Sequence, residues 1–376
     1  MRHLCAFLLA VTSSAASSAL AQDPVAPDTA PPSTEKSYAA DNGLSVEEAR
    51  RRLDELRETR RLAGELRTNE SDTFGGIYVD HRPEFKITVL FTESAAEKLK
   101  KYKVPRSVVP ATARQSEKAL RQEQADLLKG IRENGGRVAA QTRVRAGEID
   151  LFTDDEAGLN AAMAKGNIKL DKKVKIKKVK AMKWDGEAAI YGGYPLKEGA
   201  IERCTAGFAL TDGTKRYIST AGHCADTLNY NGSPLPWVAQ RWGTIYDFQV
   251  NGLGTNTVTN AIYVGSSVLQ RITSAIPYEW IFEDDYVCKY GRATFYTCGY
   301  VLSTDYSGMG AGGFIRVHKA GANMSSGGDS GAPWYVSTYS EAWGIHSDDV
   351  FEDPNDAFFM PASRFADANF QVLTQP

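Results

Sequence analysis

The spacing of hydrophobic residues divides the chain into parts with different predicted secondary structure. Between Ser45 and Leu66, apolar residues recur every three or four positions, which predicts an amphipathic helix capped at its start by Ser45 and Glu48. After Gly75-Gly76 the period falls to two, which predicts strands near residues 77–79 and 85–91. Helical spacing then returns over residues 94–102 and 111–133.

The pattern stays mixed up to residue 183. Residues 138–144 and 148–152 predict a hairpin, and residues 153–163 predict a helix. Val174 and Ile176 alternate with lysines, which indicates an edge strand with a basic outer face. We therefore predict a small α+β domain over residues 45–183.

From residue 190 onward the long helical periods disappear. Short alternating runs rich in Gly, Thr, Ser and aromatic residues predict many short strands, which are typical of an all-β barrel or sandwich. Residues 361–373 alone predict a short helix in this part.

The first 44 residues predict export rather than a folded unit. Arg2 and His3 precede a short apolar run, and Ala19-Leu20-Ala21 has the small-x-small pattern of a signal-peptidase site, so residues 1–21 are predicted to be a signal peptide. An uncleaved anchor is the alternative. Residues 22–44 lack the large apolar groups of a core and predict a disordered linker. No later segment has transmembrane length, so we expect a secreted protein, extracellular or periplasmic, without a membrane partner.

The charge is balanced overall but not along the chain. The 376 residues hold 44 Lys plus Arg against 46 Asp plus Glu. The C-terminal half (residues 190–376) holds 11 against 18, a charge of −7, and the N-terminal half (residues 1–189) holds 33 against 28, a charge of +5. We predict that the halves contact each other. Nucleic-acid binding by a basic tract is the alternative, which export disfavours.

Cysteines and histidines favour disulfides over a metal site. Four cysteines remain once Cys5 leaves with the signal peptide, and an even number in an exported chain predicts disulfides. The five histidines are scattered and no CxxC pair occurs, so no metal or cofactor is predicted.

Three segments of the C-terminal half carry the groups for nucleophilic catalysis. They contain His223 before a cysteine, Asp247 after an alternating run, and Ser330 in Gly-Asp-Ser-Gly. A serine hydroxyl needs a histidine to accept its proton and a buried carboxylate to orient that histidine. The backbone N–H groups of Gly328 and Ser330 can form an oxyanion hole.

Each of these residues also has a purely structural interpretation. His223 could be a packed histidine, Ser330 a turn serine and Asp247 a strand-end aspartate. Among other acids, Asp226 is too near His223 in sequence, and Asp284-Asp285 lie in an acidic turn that we expect to be solvated. The α/β-hydrolase fold is excluded, because the order His, Asp, Ser is wrong and the GxSxG motif is absent.

These segments resemble those of the chymotrypsin-fold serine endopeptidases, and most of all the bacterial branch of streptogrisins and alpha-lytic protease. Thr220–Cys224 and Gly328–Gly331 match the histidine and serine segments of that family. Val287–Gly299 resembles a cysteine hairpin of the bacterial branch. Ile190–Gly193 resembles the start of the mature enzymes, and Gly75–Asp80 resembles part of their large pro-domain.

The resemblance implies a trypsin-like protease domain at residues 190–376, an all-β double six-stranded antiparallel barrel, after an α+β pro-domain at residues 45–189. It implies a secreted serine endopeptidase made as an inactive preproprotein. Its expected partners are polypeptide substrates and its own pro-domain, a folding aid and inhibitor released by a cut between Lys183 and Gly193, with Ala189–Ile190 as the expected bond. We expect a monomer that binds no nucleic acid. The alternative is a non-catalytic binding or inhibitor protein on the same fold, which would normally lack a triad member.

We predict the disulfides Cys204–Cys224 and Cys288–Cys298. The first would join the strand of His223 to its neighbour, and the second would close a short hairpin. A third disulfide of the family, near the nucleophile, is missing here, and Met324 stands in that stretch.

Gly344–Ser347 resembles the strand that lines the primary specificity pocket of the family, and its Gly-Ile-His resembles that of bacterial glutamyl endopeptidases. The match implies that His346 faces the pocket and that Ser347 hydrogen-bonds the catalytic aspartate. Because an imidazole can donate to a carboxylate, and more strongly when protonated, we predict a preference for an acidic side chain before the scissile bond, helped by Ser325 and Ser326.

Two neighbouring acids leave this preference open. Asp348 and Asp349 stand where the family usually has small residues that pair with the substrate backbone. If they point into the pocket, they would repel glutamate and favour Lys or Arg. A structural His346 with broad apolar specificity is a third possibility.

Overall fold

The computed structural model describes residues 32–136, 138–178, 192–254, 256–265, 268–308, 312–350 and 353–375. The predicted signal peptide and the predicted cut at Ala189–Ile190 lie outside these residues.

Helices are concentrated in the N-terminal half. The α-helices of the described residues are α1 (Thr34–Asn42), α2 (Val46–Asn69), α3 (Ala95–Leu99), α4 (Glu117–Glu133) and α5 (Glu156–Lys165). Short 3₁₀ helices follow at η1 (Tyr278–Trp280), η2 (Ser337–Tyr339) and η3 (Ala362–Ala368). None of the described helices combines the length and the apolar character needed to cross a bilayer.

The N-terminal half contains two sheets, each with its own helices. The strands of the first are β1 (Phe74–Asp80), β2 (Lys86–Phe91) and β3 (Val108–Thr112), and those of the second are β4 (Ala139–Arg143), β5 (Glu148–Thr153) and β6 (Val174–Lys178). Two α+β units therefore stand where the sequence predicted one. β6 is an edge strand, as predicted. β3 was missed, because helix α4 begins only at Glu117, where the Ser116 hydroxyl caps the N–H of Ala119 (3.2 Å).

The C-terminal half consists of many short strands, as its pattern predicts. The strands of the first barrel and its borders are β7 (Pro195–Glu198), β8 (Ile201–Thr205), β9 (Ala209–Thr211), β10 (Arg216–Thr220), β11 (Leu228–Tyr230), β12 (Ser233–Pro234), β13 (Trp237–Gly243), β14 (Tyr246–Asn251), β15 (Ala261–Tyr263) and β16 (Leu269–Arg271). The remaining strands are β17 (Ser274–Ala275), β18 (Tyr286–Gly291), β19 (Phe295–Tyr306), β20 (Phe314–His318), β21 (Pro333–Val336), β22 (Glu341–Val350), β23 (Asp353–Pro361) and β24 (Gln371–Val372).

These strands build the predicted double barrel. In the second barrel, β22, β21, β18, β19, β20 and β23 pair in that order, and β23 pairs back onto β22, which closes a ring of six strands. The first barrel is built from the sheets β13-β14-β10-β9-β24 and β12-β11-β7-β8. The helix predicted over residues 361–373 is present as the shorter 3₁₀ helix η3, which is followed by strand β24, and β24 returns to the first barrel.

Both predicted disulfides are present. Cys288 and Cys298 stand directly opposite each other on β18 and β19 and are bonded. Cys204, in β8, is bonded to Cys224, which follows His223. The first disulfide therefore fixes the histidine segment to a neighbouring strand.

The two halves contact each other through buried ion pairs. Arg60 of α2 is 2% exposed, and its guanidinium donates to both carboxylate oxygens of Asp285 (3.2 Å each) and to Glu341 (3.1 Å). The contact has the signs that the charge asymmetry predicts, with a basic side chain from the N-terminal half between two acids of the C-terminal half.

The acidic turn at residues 283–285 is not solvated, contrary to the sequence prediction. Asp284 accepts the N–H of Val79 (3.1 Å) and an N–H of Arg145 (2.9 Å). Glu283 is buried and accepts the N–H of Val144 (3.1 Å). Burial, followed by the charge of Asp284, raises the pKa of Glu283 to about 8.

Helix α1 lies in the predicted linker, so the linker prediction is wrong for residues 34–42. Tyr38 is fully buried with its ring edge against Tyr286 of the second barrel (5.2 Å between centroids). Asp41 accepts from Lys319 (2.8 Å) and from the Tyr286 hydroxyl (2.6 Å). A polar sequence without a periodic apolar face thus forms a helix through contacts that only the folded partner provides.

Candidate active site

The histidine and aspartate segments meet at one end of the first barrel. Strand β10 pairs antiparallel with β14, and Thr220 stands opposite Gln249. His223 lies three residues after Thr220 and Asp247 two residues before Gln249. Antiparallel pairing therefore brings both side chains to the same end of the sheet.

The Asp247 carboxylate is fully buried and contacts two groups of His223, the ring nitrogen Nδ1 and the backbone N–H. Both of its oxygens lie 3.0 Å from Nδ1, and Oδ1 also accepts the backbone N–H of His223 (3.1 Å). Gly222 allows this approach, since a Cβ there would lie 2.6 Å from the carbonyl oxygen of Arg241. With Nδ1 at the carboxylate, Nε2 is the nitrogen that can exchange a proton with a hydroxyl.

Thr205 of the first barrel fixes the turn that carries Ser330. Its hydroxyl donates to the carbonyl of Gly328 (2.5 Å), and its N–H donates to the carbonyl of Ser330 (2.6 Å). Gly331 has a φ of +90°, and a Cβ there would collide with the Thr205 carbonyl. The Ser330 hydroxyl donates to the carbonyl of Ser347 (3.3 Å). The hydroxyl therefore lies at the junction of the two barrels.

The amides of this turn face away from its anchored carbonyls. The carbonyl of Asp329 accepts the N–H of Ala332 (2.7 Å), so the N–H of Ser330 points the other way. Gly328 has a φ of +113°. Within the described part of the chain, neither the Gly328 nor the Ser330 N–H donates to a protein acceptor.

A buried ion pair supports the turn from inside the second barrel. Asp329 accepts from the Lys289 ammonium (2.8 Å) and from the N–H groups of Ala293 (2.9 Å) and Thr294 (3.1 Å). Both charged side chains are fully buried. Burial alone would raise the pKa of Asp329, but the charge of Lys289 holds that pKa below its usual value. Lys289 and Asp329 both lie in segments that resemble the family, but the sequence alone indicated no role for either of them.

His346 and Ser325, both predicted to bind the substrate side chain, are in hydrogen-bond contact with each other. The Ser325 hydroxyl is 2.9 Å from Nε2 of His346, which is 1% exposed, and the Trp334 ring lies 6.2 Å away. Burial, followed by the charge of Lys289, lowers the pKa of His346 to about 3. The imidazole is therefore neutral, and the expected gain from protonating it is wrong. Nδ1 is buried and has no hydrogen-bond partner among the described residues.

Ser347 does not contact the aspartate, contrary to what the resemblance implied. Its hydroxyl is buried without a hydrogen-bond partner in the described ranges. Asp247 is instead held by the contacts with His223, and its own N–H points to Met360 Sδ (3.4 Å). Ser347 acts through its backbone carbonyl, which accepts the Ser330 hydroxyl.

A bulge at Ser347 turns the next residue away from the pocket. His346 stands opposite Phe359 of β23, but Asp348 stands opposite Phe358. Cross-strand partners share a face of the sheet, and successive residues of β23 point to opposite faces. Asp348 therefore lies on the face opposite to His346.

Asp349 lies on the other face from Asp348. It stands opposite Ala357, which shares the face of Phe359 and therefore of His346. The two acids that the sequence left undecided are thus separated, with Asp349 on the pocket side and Asp348 on the far side.

The described residues contain no group of three or more His, Cys, Asp or Glu side chains arranged to hold a metal ion.

Two β-barrels, with a His–Asp pair on the first and a glycine-flanked serine where they meet, define a chymotrypsin-fold serine protease.

Comparison with known proteins agrees with this class. No family model matches the chain. Over 173 residues it is 33% identical to glutamyl endopeptidase 2 of Streptomyces griseus, an alignment that covers 43% of this chain and 83% of that protein. The chain therefore belongs to the family of bacterial chymotrypsin-fold serine endopeptidases, enzymes that hydrolyse peptide bonds in polypeptides.

Two solved structures are similar to about half of this chain. A glutamic acid specific serine protease that utilises a histidine triad in substrate binding is 25% identical, with 49% of this chain and 100% of that chain covered and a TM-score of 0.42. Protease A of Thermobifida fusca is 24% identical, with 50% and 100% covered and a TM-score of 0.42.

Proposed function

We propose that Ser330, His223 and Asp247 form the catalytic triad of this endopeptidase. The observation that carries the proposal is the position of both Asp247 oxygens 3.0 Å from His223 Nδ1. The Ser330 oxygen attacks the scissile carbonyl carbon while Nε2 takes its proton. The same proton goes to the leaving amine as the peptide bond breaks, which leaves an acyl-enzyme. Water then attacks that ester while His223 takes a proton from the water, and His223 passes this proton to the Ser330 oxygen as the acid product leaves.

The N–H groups of Gly328 and Ser330 serve as the oxyanion hole in this mechanism. Negative charge develops on the carbonyl oxygen in both steps, and two fixed amide dipoles stabilise it without reorganisation. The fixed carbonyls of the turn and the Asp329–Lys289 pair support this role, because they hold the amides in place before substrate binds.

Labelling with diisopropyl fluorophosphate tests the triad and separates it from a non-catalytic binding protein on the same fold. We expect one label, on Ser330, and a fall in kcat of about 10⁴-fold or more in Ser330→Ala. Ser326→Ala is the matched control, because Ser326 lies in the same turn and should leave the labelling intact. Failure to label the processed wild-type protein at Ser330 would reject the proposal.

We propose that the chain is made as an exported preproprotein whose N-terminal half helps the protease fold and then inhibits it. The disulfides favour an oxidising compartment. The buried pairs of Arg60 with Asp285 and Glu341 support tight docking of the halves. Expression of residues 190–376 alone tests the folding role: we expect little active enzyme, and recovery when residues 45–189 are supplied. Full activity without them would disprove it.

We propose a preference for glutamate before the scissile bond. The similarity of the chain to a glutamyl endopeptidase supports this preference. The hydrogen-bonded pair that the neutral His346 forms with Ser325 in the predicted pocket also supports it. A preference for Lys or Arg is the second candidate, because Asp349 lies on the face of His346.

Peptides that differ only in Glu, Lys or Leu before the scissile bond decide between them. For His346→Val we expect the Glu-to-Leu ratio of kcat/KM to fall roughly 10- to 100-fold, since a neutral donor is lost from a buried site. An unchanged ratio would remove His346 from substrate recognition. A wild-type preference for Lys that disappears in Asp349→Asn would favour the second candidate.

A further inference from the structure

Among the described residues, no strand of the second barrel pairs with β22 after His346 on the edge next to Ser330. The His346 N–H and carbonyl bond to Ala332 and Gly331 (2.8 and 2.7 Å), and the next carbonyl, that of Ser347, accepts the Ser330 hydroxyl (3.3 Å). Strand β21 pairs with β22 only as far as Ile345, while β23 covers the other edge. An extended peptide whose scissile carbonyl reaches Ser330 can pair with this edge as an added strand.

Alternation along such a peptide sends neighbouring side chains to opposite faces. If one residue enters the His346 pocket, the residue before it points to the opposite face of β22. That is the face of Asp348, because the bulge at Ser347 reverses the alternation after His346. Opposite charges on directly facing strand residues attract.

The Asp348 carboxylate is held on this face. Its Oδ1 accepts the N–H of Asp349 (2.9 Å), and its side chain is only partly exposed. His223 and Asp247 are close enough for their charges to act on it. Asp348 directly follows Ser347, whose carbonyl accepts the Ser330 hydroxyl (3.3 Å), so it lies one residue along the strand from that contact.

We propose that Asp348 forms a second specificity subsite, which selects Lys or Arg at the residue immediately before the one in the primary pocket. This inference rests on the proposed triad, which fixes where the scissile bond lies. It is independent of which side chain the primary pocket prefers.

The test uses the chain expressed in full and assayed after it has processed itself. The substrates are peptide p-nitroanilides in which the last residue is the best one found in a peptide library and the preceding residue is Lys, Gln or Glu. We expect the Lys-to-Gln ratio of kcat/KM to be about tenfold, the Glu-to-Gln ratio to be below one, and both to approach one in Asp348→Asn.

Asp349→Asn is the matched control, because its side chain lies on the other face. We expect it to keep a Lys-to-Gln ratio above one and to raise that ratio at a given pH, because loss of the Asp349 charge lowers the pKa of Asp348. A wild-type ratio near one, or a ratio that Asp349→Asn abolishes and Asp348→Asn does not, overturns the inference. Because these readouts are ratios, cleavage of the Gln substrate shows that the triad works even when the subsite fails. Absence of all cleavage is instead a failure of the triad.

The pH dependence of the ratio gives a second readout. Burial, followed by the charge of Asp349, raises the pKa of Asp348 well above its usual range, while His223 opposes this and Asp247 adds to it. Tyr306 is a further titratable group whose pKa Asp348 affects. The Lys-to-Gln ratio should therefore rise with pH as Asp348 ionises. The titration of His223 affects both substrates alike and cancels. A flat ratio in the wild type, equal to that of Asp348→Asn, contradicts the inference.

Discussion

Asp329 and Asp285 are both fully buried carboxylates of the C-terminal half, but their partners come from different parts of the chain. Asp329 bonds to Lys289 and to amides of residues 293 and 294, all within the second barrel. Asp285 faces Arg60, which the N-terminal half supplies. The support of the serine turn is thus complete within the protease, whereas the acidic turn is complete only while the other half is docked.

The difference separates two roles for buried charge. A buried ion pair adds little net stability, but leaving one partner alone costs several kcal/mol. Inside the second barrel, the cost of breaking the buried pair stabilises the conformation of the serine turn. Between the halves, the same cost arises when the halves separate, so the pair of Arg60 with Asp285 opposes separation.

The largest effect should follow the loss of Lys289. Lys289→Met leaves the Asp329 charge buried without a counter-charge, so we expect a loss of about 3–5 kcal/mol in stability and at least 100-fold in kcat/KM. Urea unfolding and kinetics of the processed enzyme measure both. Adding Asp329→Asn to Lys289→Met should recover much of the stability. If the double variant did not recover stability, or if Lys289→Met alone were stable and active, the ion pair would not be what supports the serine turn within the second barrel.

Loss of Arg60 should weaken docking and leave the protease itself unchanged. Arg60→Met leaves Asp285 and Glu341 buried without their cation, and we expect inhibition by the separated N-terminal half to weaken by about 3–4 kcal/mol, or roughly 100- to 1000-fold. Inhibition constants against the processed enzyme measure this. Arg61→Met, at an exposed position of the same helix, is the control. Equal inhibition by both variants would show that the ion pair is dispensable.

Docking should also weaken as pH rises, through Glu283. Its pKa of about 8 in the docked state exceeds the ordinary value that exposure restores, so the docked state binds the proton more tightly. The contribution is present at low pH and is lost as pH rises through about 8. Between pH 7 and 9 His81 does not interfere, because burial lowers the pKa of its imidazole, which is neutral throughout. Between pH 7 and 9, the inhibition constant should change less with pH for Glu283→Gln than for the wild type. If both change equally, another group causes the pH dependence.

The smallest expected effect is at helix α1. Asp41→Asn removes the charge that Lys319 and the Tyr286 hydroxyl contact, both partly exposed pairs, so docking should lose about 1 kcal/mol, or fivefold in inhibition. A loss comparable to that of Arg60→Met would mean that α1 is a primary anchor rather than an accessory contact.

Local pattern was sufficient for elements that follow one period or one motif. Helix α2 and the alternating strands follow from spacing, the even number of cysteines predicts disulfides, and the fold class follows from the motifs that resemble the family. Features set by distant partners were missed. The bulge at Ser347 depends on the register of β22 with β23, and the burial of Glu283 depends on its contact with Val144. Helix α1 has no periodic apolar face and is held by its contact with Tyr286.

Strand β24 follows the second barrel in the chain but completes a sheet of the first barrel, so the first barrel can be completed only after the second has been synthesised. Strand β24 pairs with β9, more than 150 residues earlier in the chain, at Gln371↔Thr211 and Val372↔Leu210. During synthesis the N-terminal half emerges first and its two sheets can form from contacts within that half, but the sheet that carries His223 stays one strand short until residue 372 has been made. The sheets of the partner that we propose as inhibitor can therefore form before the active site is complete.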